Sequence, residues 1–198
     1  MFPLNVPNVL TVVRILLVPV LVAALLVETP RGATIAAIVF AVAAFTDGLD
    51  GYIARSRQSI TTFGKVMDPI ADKLLIASAL ISLVSLNRVD AWVAMVIIAR
   101  EFAVSGLRIA AGAQGAVIPA SALGKVKTVS QVAAVLALIA ASNPDAGWVQ
   151  ALVYVSVLIT VVSGVDYFLN VRKRIEEVRR EMTAAARERL TANENHSQ

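Results

Sequence analysis

Asp47-Gly48-Leu49-Asp50-Gly51-Tyr52-Ile53-Ala54-Arg55 closes one long apolar run, and Gly64-Lys65-Val66-Met67-Asp68-Pro69-Ile70-Ala71-Asp72 opens the next. Two pairs of aspartates therefore sit in sequence that is otherwise apolar enough to lie in a membrane. A carboxylate at the bilayer centre costs roughly 2.5–3.5 kcal/mol on insertion scales. Four of them need counter-charge, and Arg55, Lys65 and Lys73 are among the cations close by in sequence. Divalent metal ions are the simplest neutralisation. Metal held by carboxylates at a membrane surface points to phosphate chemistry on a lipid.

Outward from this stretch, six segments reach the ~20 apolar residues that a spanning helix needs: 9–27, 34–54, 68–86, 91–111, 123–141 and 149–169. Breakers separate them: Glu28-Thr29-Pro30-Arg31-Gly32, Asn87-Arg88-Val89-Asp90 and Ser142-Asn143-Pro144-Asp145. Hydrophobic residues make up 58% of the 198, against roughly 45–50% in a soluble domain. The mean hydropathy is +0.74. The chain reads as an all-α polytopic membrane protein of six transmembrane helices. Phe2-Pro3-Leu4-Asn5-Val6-Pro7 is too short and proline-broken to span, and is expected in the interface. After Asn170 charges abound, with Val171, Ile175, Val178, Met182 and Ala185 at helical spacing. This predicts a membrane domain over 1–170, a cytoplasmic amphipathic helix over 171–190 and a disordered tail over 191–198.

The net charge of +4 is too small to imply nucleic acid. Its distribution is more telling. One set of segment ends holds Arg55, Arg57, Lys65, Lys125, Lys127, Arg172, Lys173 and Arg174, whereas the opposite loops hold Arg31 and Arg88. The excess of Lys and Arg marks the cytoplasmic side, so both termini and the aspartates are expected there. With no cysteine in the chain, disulfides and thiolate chemistry are excluded, and the single histidine, His196, reads as a solvated tail residue. The first apolar run has neither a basic start nor a small-residue cleavage site, so no cleavable leader is expected. A bacterial plasma (inner) membrane is the expected location.

Residues three or four apart share a helix face. Asp47, Asp50, Gly51 and Ala54 form one stripe, and Asp68 and Asp72 a second, with Pro69 suited to a first helical turn. A short polar loop over 56–63 makes the two helices antiparallel neighbours, stripe facing stripe. Oxygen-only ligands select Mg²⁺ or Mn²⁺, and two such ions about 3.5–4 Å apart clamp an in-line phosphoryl displacement. Gly51 and Ala54 leave a bare face for a phosphate or nucleotide, and Arg55 has the fork geometry for phosphate. The competing reading is a helix-packing site of small residues with the aspartates paired to lysines.

The spacing Asp47-x-x-Asp50-Gly51-x-x-Ala54-Arg55-x8-Gly64-x3-Asp68-x3-Asp72 resembles the signature of the CDP-alcohol phosphatidyltransferases, with no substitution. The resemblance implies an enzyme that exchanges the CMP of a CDP-linked lipid for an alcohol. It implies that Asp47, Asp50 and Asp68 bind metal. Asp72 would be the base that deprotonates the acceptor, and also a metal neighbour. Gly51, Ala54 and Arg55 would accommodate the CDP-lipid, joined by Thr61. Asn8 is a further candidate there, or else a helix cap. Homodimers are typical of similar proteins. Asn5-Val6-Pro7-Asn8-Val9-Leu10-Thr11-Val12-Val13-Arg14, Ile98-Ala99-Arg100-Glu101 and Gly124-Lys125-Val126-Lys127-Thr128-x-x-Gln131 further resemble segments of phosphatidylglycerophosphate synthases.

Charge supports a phosphorylated acceptor. Glycerol 3-phosphate carries about two charges and calls for cations, best as an arginine fork. Arg100, Arg108, Lys125 and Lys127 are the candidates. On the bland alternative, Arg100 pairs internally and the lysines only set topology. The implied reaction joins CDP-diacylglycerol and glycerol 3-phosphate into phosphatidylglycerol phosphate and CMP. Rival readings are another acceptor (inositol phosphate, serine or phosphatidylglycerol) or a carboxylate-lined ion or proton transporter.

Overall fold

The computed structural model describes the backbone of residues 6–57, 62–113, 115 and 122–196, and the side chains of 9–46, 70–71, 73–113, 115, 122–180 and 183. Among these residues the chain is all-helical: α1 Val6–Leu26, α2 Pro30–Arg57, α3 Thr62–Ser85, α4 Ala91–Ala113, α5 Ala122–Ala140 and α6 Gly147–His196. Three helices carry stretches long and apolar enough to cross a membrane: Val9–Leu26, Ala122–Ala140 and Gly147–Arg180. Pro30–Thr46 and Lys73–Ser85 are shorter apolar stretches.

Several helices outrun the apolar segments that announce them. Hydropathy marks where lipid-compatible sequence stops, and a helix need not stop there. α3 starts at Thr62 rather than 68, which places Pro69 in its second turn and not its first. α6 is one helix of 50 residues. It runs on through Asn170 and to His196, where sequence reasoning expects a tail without structure from 191. No glycine or proline follows Gly164, so nothing in the chain interrupts it. The apolar stripe of Val171, Ile175 and Val178 packs against Val104, Leu107 and Ala111 of α4, rather than being left over for a membrane surface.

Local chemistry fixes the turns at one end of the bundle. Thr29 caps α2, its Oγ1 accepting from the Gly32 N–H at 3.0 Å, with Pro30 at the first helical position. A Cβ on Gly32 would lie 2.6 Å from the carbonyl oxygen of Ala24, so only glycine lets α2 start this close to α1. α3 ends in a Schellman motif: Asn87 has φ 53°, its N–H bonds the Val84 carbonyl at 3.0 Å, and the Arg88 N–H bonds the Leu83 carbonyl at 2.9 Å. Asn143 makes an Asx turn before α6, its Oδ1 accepting from the Asp145 N–H at 2.9 Å.

α1 packs against both α2 and α3, contacting each more extensively than they contact one another. The expected α2–α3 pair is thus organised around a shared partner. α5 packs on α6, α4 on α6, and the α2–α5 and α3–α4 contacts join the halves. Fully buried Ala36, Ala43 and Ala79 allow close helix approach beside Phe40, Leu75 and Leu83. The outside is apolar: Ile35, Ile38, Val42 and Phe45 line one face of α2, and Met95, Phe102 and Ile109 one face of α4. Polar groups lie inside, including Arg14, Glu101, Lys127, Gln131 and Thr160. An apolar exterior around a polar interior is the pattern of a protein solvated by lipid.

Candidate active site

The ends of the helices sort into two sets. A cavity of about 640 Å³ is lined by Leu25, Glu28, Thr34, Leu86, Arg88 and Ala141 among others. It gathers the end of α1, the start of α2 and the ends of α3 and α5. The aspartates therefore lie toward the opposite end. At 1.5 Å per residue, Asp47 is about 25 Å along α2 from Pro30, and Asp72 about 20 Å along α3 from Ser85.

On the described backbone, Asp47, Asp50, Gly51, Ala54 and Arg55 belong to the last turns of α2, and Asp68 and Asp72 to the early turns of α3. Asp47 and Asp50 are one turn apart, as are Asp68 and Asp72, so each pair shares a face. The side chains of these residues, and that of Asn8, lie outside the described ones, and Thr61 lies outside the described residues altogether. Among the described residues no three metal-ligating side chains converge. The donor set of the two aspartate pairs is oxygen only, and four carboxylates on two consecutive helix ends fit hard divalent cations.

α1 adds a residue that the sequence leaves open between an interface anchor and a ligand. Arg14 is 2% exposed and Thr11 1%, three apart on the side of α1 turned inward. Because α1 packs on both aspartate-bearing helices, it delivers a buried guanidinium to their half of the bundle. Its position among valines and leucines at the start of a span gave no sign of this.

The acceptor-phosphate candidates divide. Arg100 and Lys127 converge on Glu101, a residue outside the candidate set. Lys127 Nζ donates to Glu101 Oε1 at 2.5 Å, and an Arg100 guanidinium nitrogen donates to the same oxygen at 3.3 Å. Gln131 Nε2 lies 3.5 Å from it and donates to Thr160 Oγ1 at 3.0 Å. Arg100 also donates to Ser163 Oγ at 3.0 Å. The network ties α4, α5 and α6 together in the interior. Glycine at 164 makes room for it: a Cβ there would lie 3.2 Å from Arg100 Cγ. Arg108 lies two turns further along α4, exposed, over the ring of Tyr167 at 5.7 Å and with Nε 3.4 Å from its hydroxyl. Lys125 is exposed and outside this network. Positive charge within or beside apolar runs made Arg100, Arg108, Lys125 and Lys127 visible in sequence. Thr160, Ser163 and Tyr167 were hidden because small polar and aromatic residues in an apolar run carry no functional mark.

Comparison with known proteins bears on this arrangement. Residues 4–162 match the family model for CDP-alcohol phosphatidyltransferase. A CDP-diacylglycerol–glycerol-3-phosphate 3-phosphatidyltransferase of Bacillus subtilis is 41% identical over 180 residues, covering 83% of this chain and 93% of that protein. A probable phosphatidylglycerophosphate synthase of Mycobacterium tuberculosis is 39% identical, covering 88% and 85%. A CMP-forming cardiolipin synthase of Oryza sativa is 37% identical, covering 81% of this chain and 53% of its own. With a family match over most of its length and relatives this similar, the chain belongs to the CDP-alcohol phosphatidyltransferase family.

Proposed function

We propose that this protein transfers the phosphatidyl group of CDP-diacylglycerol to glycerol 3-phosphate, giving phosphatidylglycerol phosphate and CMP. One observation carries the reading: the similarity to a protein named for that reaction runs through 83% of this chain at 41% identity. The paired aspartates on α2 and α3, half-buried Arg100 on α4 and buried Lys127 on α5 support it.

In this reading Asp47, Asp50 and Asp68 hold two Mg²⁺ or Mn²⁺ ions, with Asp72 alongside. When bound, the ions neutralise the pyrophosphate and the charge that builds on departing CMP. Asp72 takes the proton of the acceptor hydroxyl, which attacks the lipid-side phosphorus in line. Gly51 and Ala54 leave space for the cytidine, with Asn8 and Thr61 beside it, and Arg55 forks on a phosphate. Arg100, Arg108, Lys125 and Lys127 supply the positive charge for the acceptor phosphate. The enzyme is a multi-pass protein of six spans in a plasma membrane. The site and both termini are cytoplasmic, the membrane domain over 1–170 continues into the charged helix, and the assembly is a homodimer.

The cardiolipin synthase relative favours one second reading, with phosphatidylglycerol as acceptor. Purified protein in detergent, given labelled CDP-diacylglycerol and each alcohol in turn, separates the two. We expect metal-dependent CMP release with glycerol 3-phosphate. Release with phosphatidylglycerol alone, or release unaffected by chelator, would overturn the reading.

A further inference from the structure

Half-buried Arg100 of α4 and buried Lys127 of α5 do not stand alone; both are bonded to one carboxylate oxygen. Glu101 Oε1 receives Lys127 Nζ at 2.5 Å and Arg100 at 3.3 Å, with Gln131 Nε2 at 3.5 Å. The side chains of Lys127, Glu101 and Arg100 are 7%, 11% and 13% exposed. Two cations this close and this dry repel one another, and the carboxylate they share offsets that repulsion.

We infer that Glu101 is a positioning residue: its carboxylate gathers Arg100 from α4 and Lys127 from α5 into one seat for the phosphate of the acceptor alcohol. The inference rests on the proposed transfer to glycerol 3-phosphate. Other contacts complete the seat. Arg100 is steadied by Ser163 at 3.0 Å and lies across Gly164, where a Cβ would come within 3.2 Å of its Cγ. Gln131 is steadied by Thr160 at 3.0 Å. Each cation thus has its direction set by α6 or by Glu101 before any ligand arrives, and preorganisation of this kind lowers the cost of binding.

The test uses the intact protein in detergent, with wild type assayed first. Glu101→Gln keeps the shape and removes the charge that holds the cations together. We expect its KM for glycerol 3-phosphate to rise about tenfold or more, the worth of one charge-assisted bond, with the KM for CDP-diacylglycerol unmoved. Glu101→Asp keeps the charge on a shorter arm and should recover much of the acceptor KM lost in Glu101→Gln. A Glu101→Gln variant with unaltered acceptor KM, or one in which both substrate KM values rise equally, would overturn the inference. If wild type releases no CMP with glycerol 3-phosphate, the proposed function fails and this inference with it. If wild type is active and the variants match it, the inference alone fails.

Discussion

Arg88, in the turn between α3 and α4, donates through Nε to the carbonyl oxygen of Leu138 at 2.8 Å, fifty residues along the chain. A second guanidinium nitrogen donates to the carbonyl of Ala141. The last carbonyls of a helix have no partner within it, and here a side chain from a neighbouring turn supplies one. The same turn is shaped by the left-handed Asn87, which aims Arg88 across the bundle end.

Arg88→Ala strands those carbonyls. We expect about 1–3 kcal/mol of destabilisation, read as a lower thermal midpoint in detergent. Both substrate KM values should stay as they are, because Arg88 lies at the end of the bundle away from the aspartates.

Gly32→Ala tests the α1–α2 turn. The added methyl would meet the Ala24 carbonyl oxygen, a backbone atom, at 2.6 Å, and overpacking of this kind costs about 1–3 kcal/mol. Thr29→Ala removes only the cap, worth about 1 kcal/mol. Thermal melts of the two should rank glycine replacement as the more damaging.

Asp72→Asn keeps size and loses the base. CMP release should fall by about two to four orders of magnitude, the usual range for a general base. Calorimetric binding of CDP should be nearly unchanged. Full turnover in this variant would remove Asp72 from that role.

Arg108→Ala should raise the KM for glycerol 3-phosphate about tenfold, as for one charge-assisted bond, more than it raises that for CDP-diacylglycerol. Tyr167→Phe should follow in the same direction with a smaller effect, since its hydroxyl holds Arg108 at 3.4 Å. Equal shifts for both substrates would argue against an acceptor role for Arg108.

Much of this was legible in the chain itself. The apolar runs located every helix, and the breakers at Pro30, Asn87 and Asn143 fell at observed turns. The aspartate spacing resembled the signature of the family to which the chain belongs. What escaped were relationships that no single segment encodes. Arg14 was left open between anchor and ligand, because its inward face depends on how α1 meets α2 and α3. Glu101 looked like a neighbour to Arg100, and its hold on Lys127 needs α5 to lie alongside α4. The full extent of α6 escaped because hydropathy registers lipid compatibility, and helicity continues past it wherever no glycine or proline intervenes.

At 1.5 Å per residue, fifty residues in one helix form a rod about 75 Å long, more than twice the ~30 Å hydrocarbon thickness. The hydroxyls of Thr160 and Ser163 and the arginine-rich far end are parts of the same unbroken helix. The segment that orients Arg100 and Gln131 inside the bundle is therefore continuous with one that reaches well beyond the hydrocarbon layer.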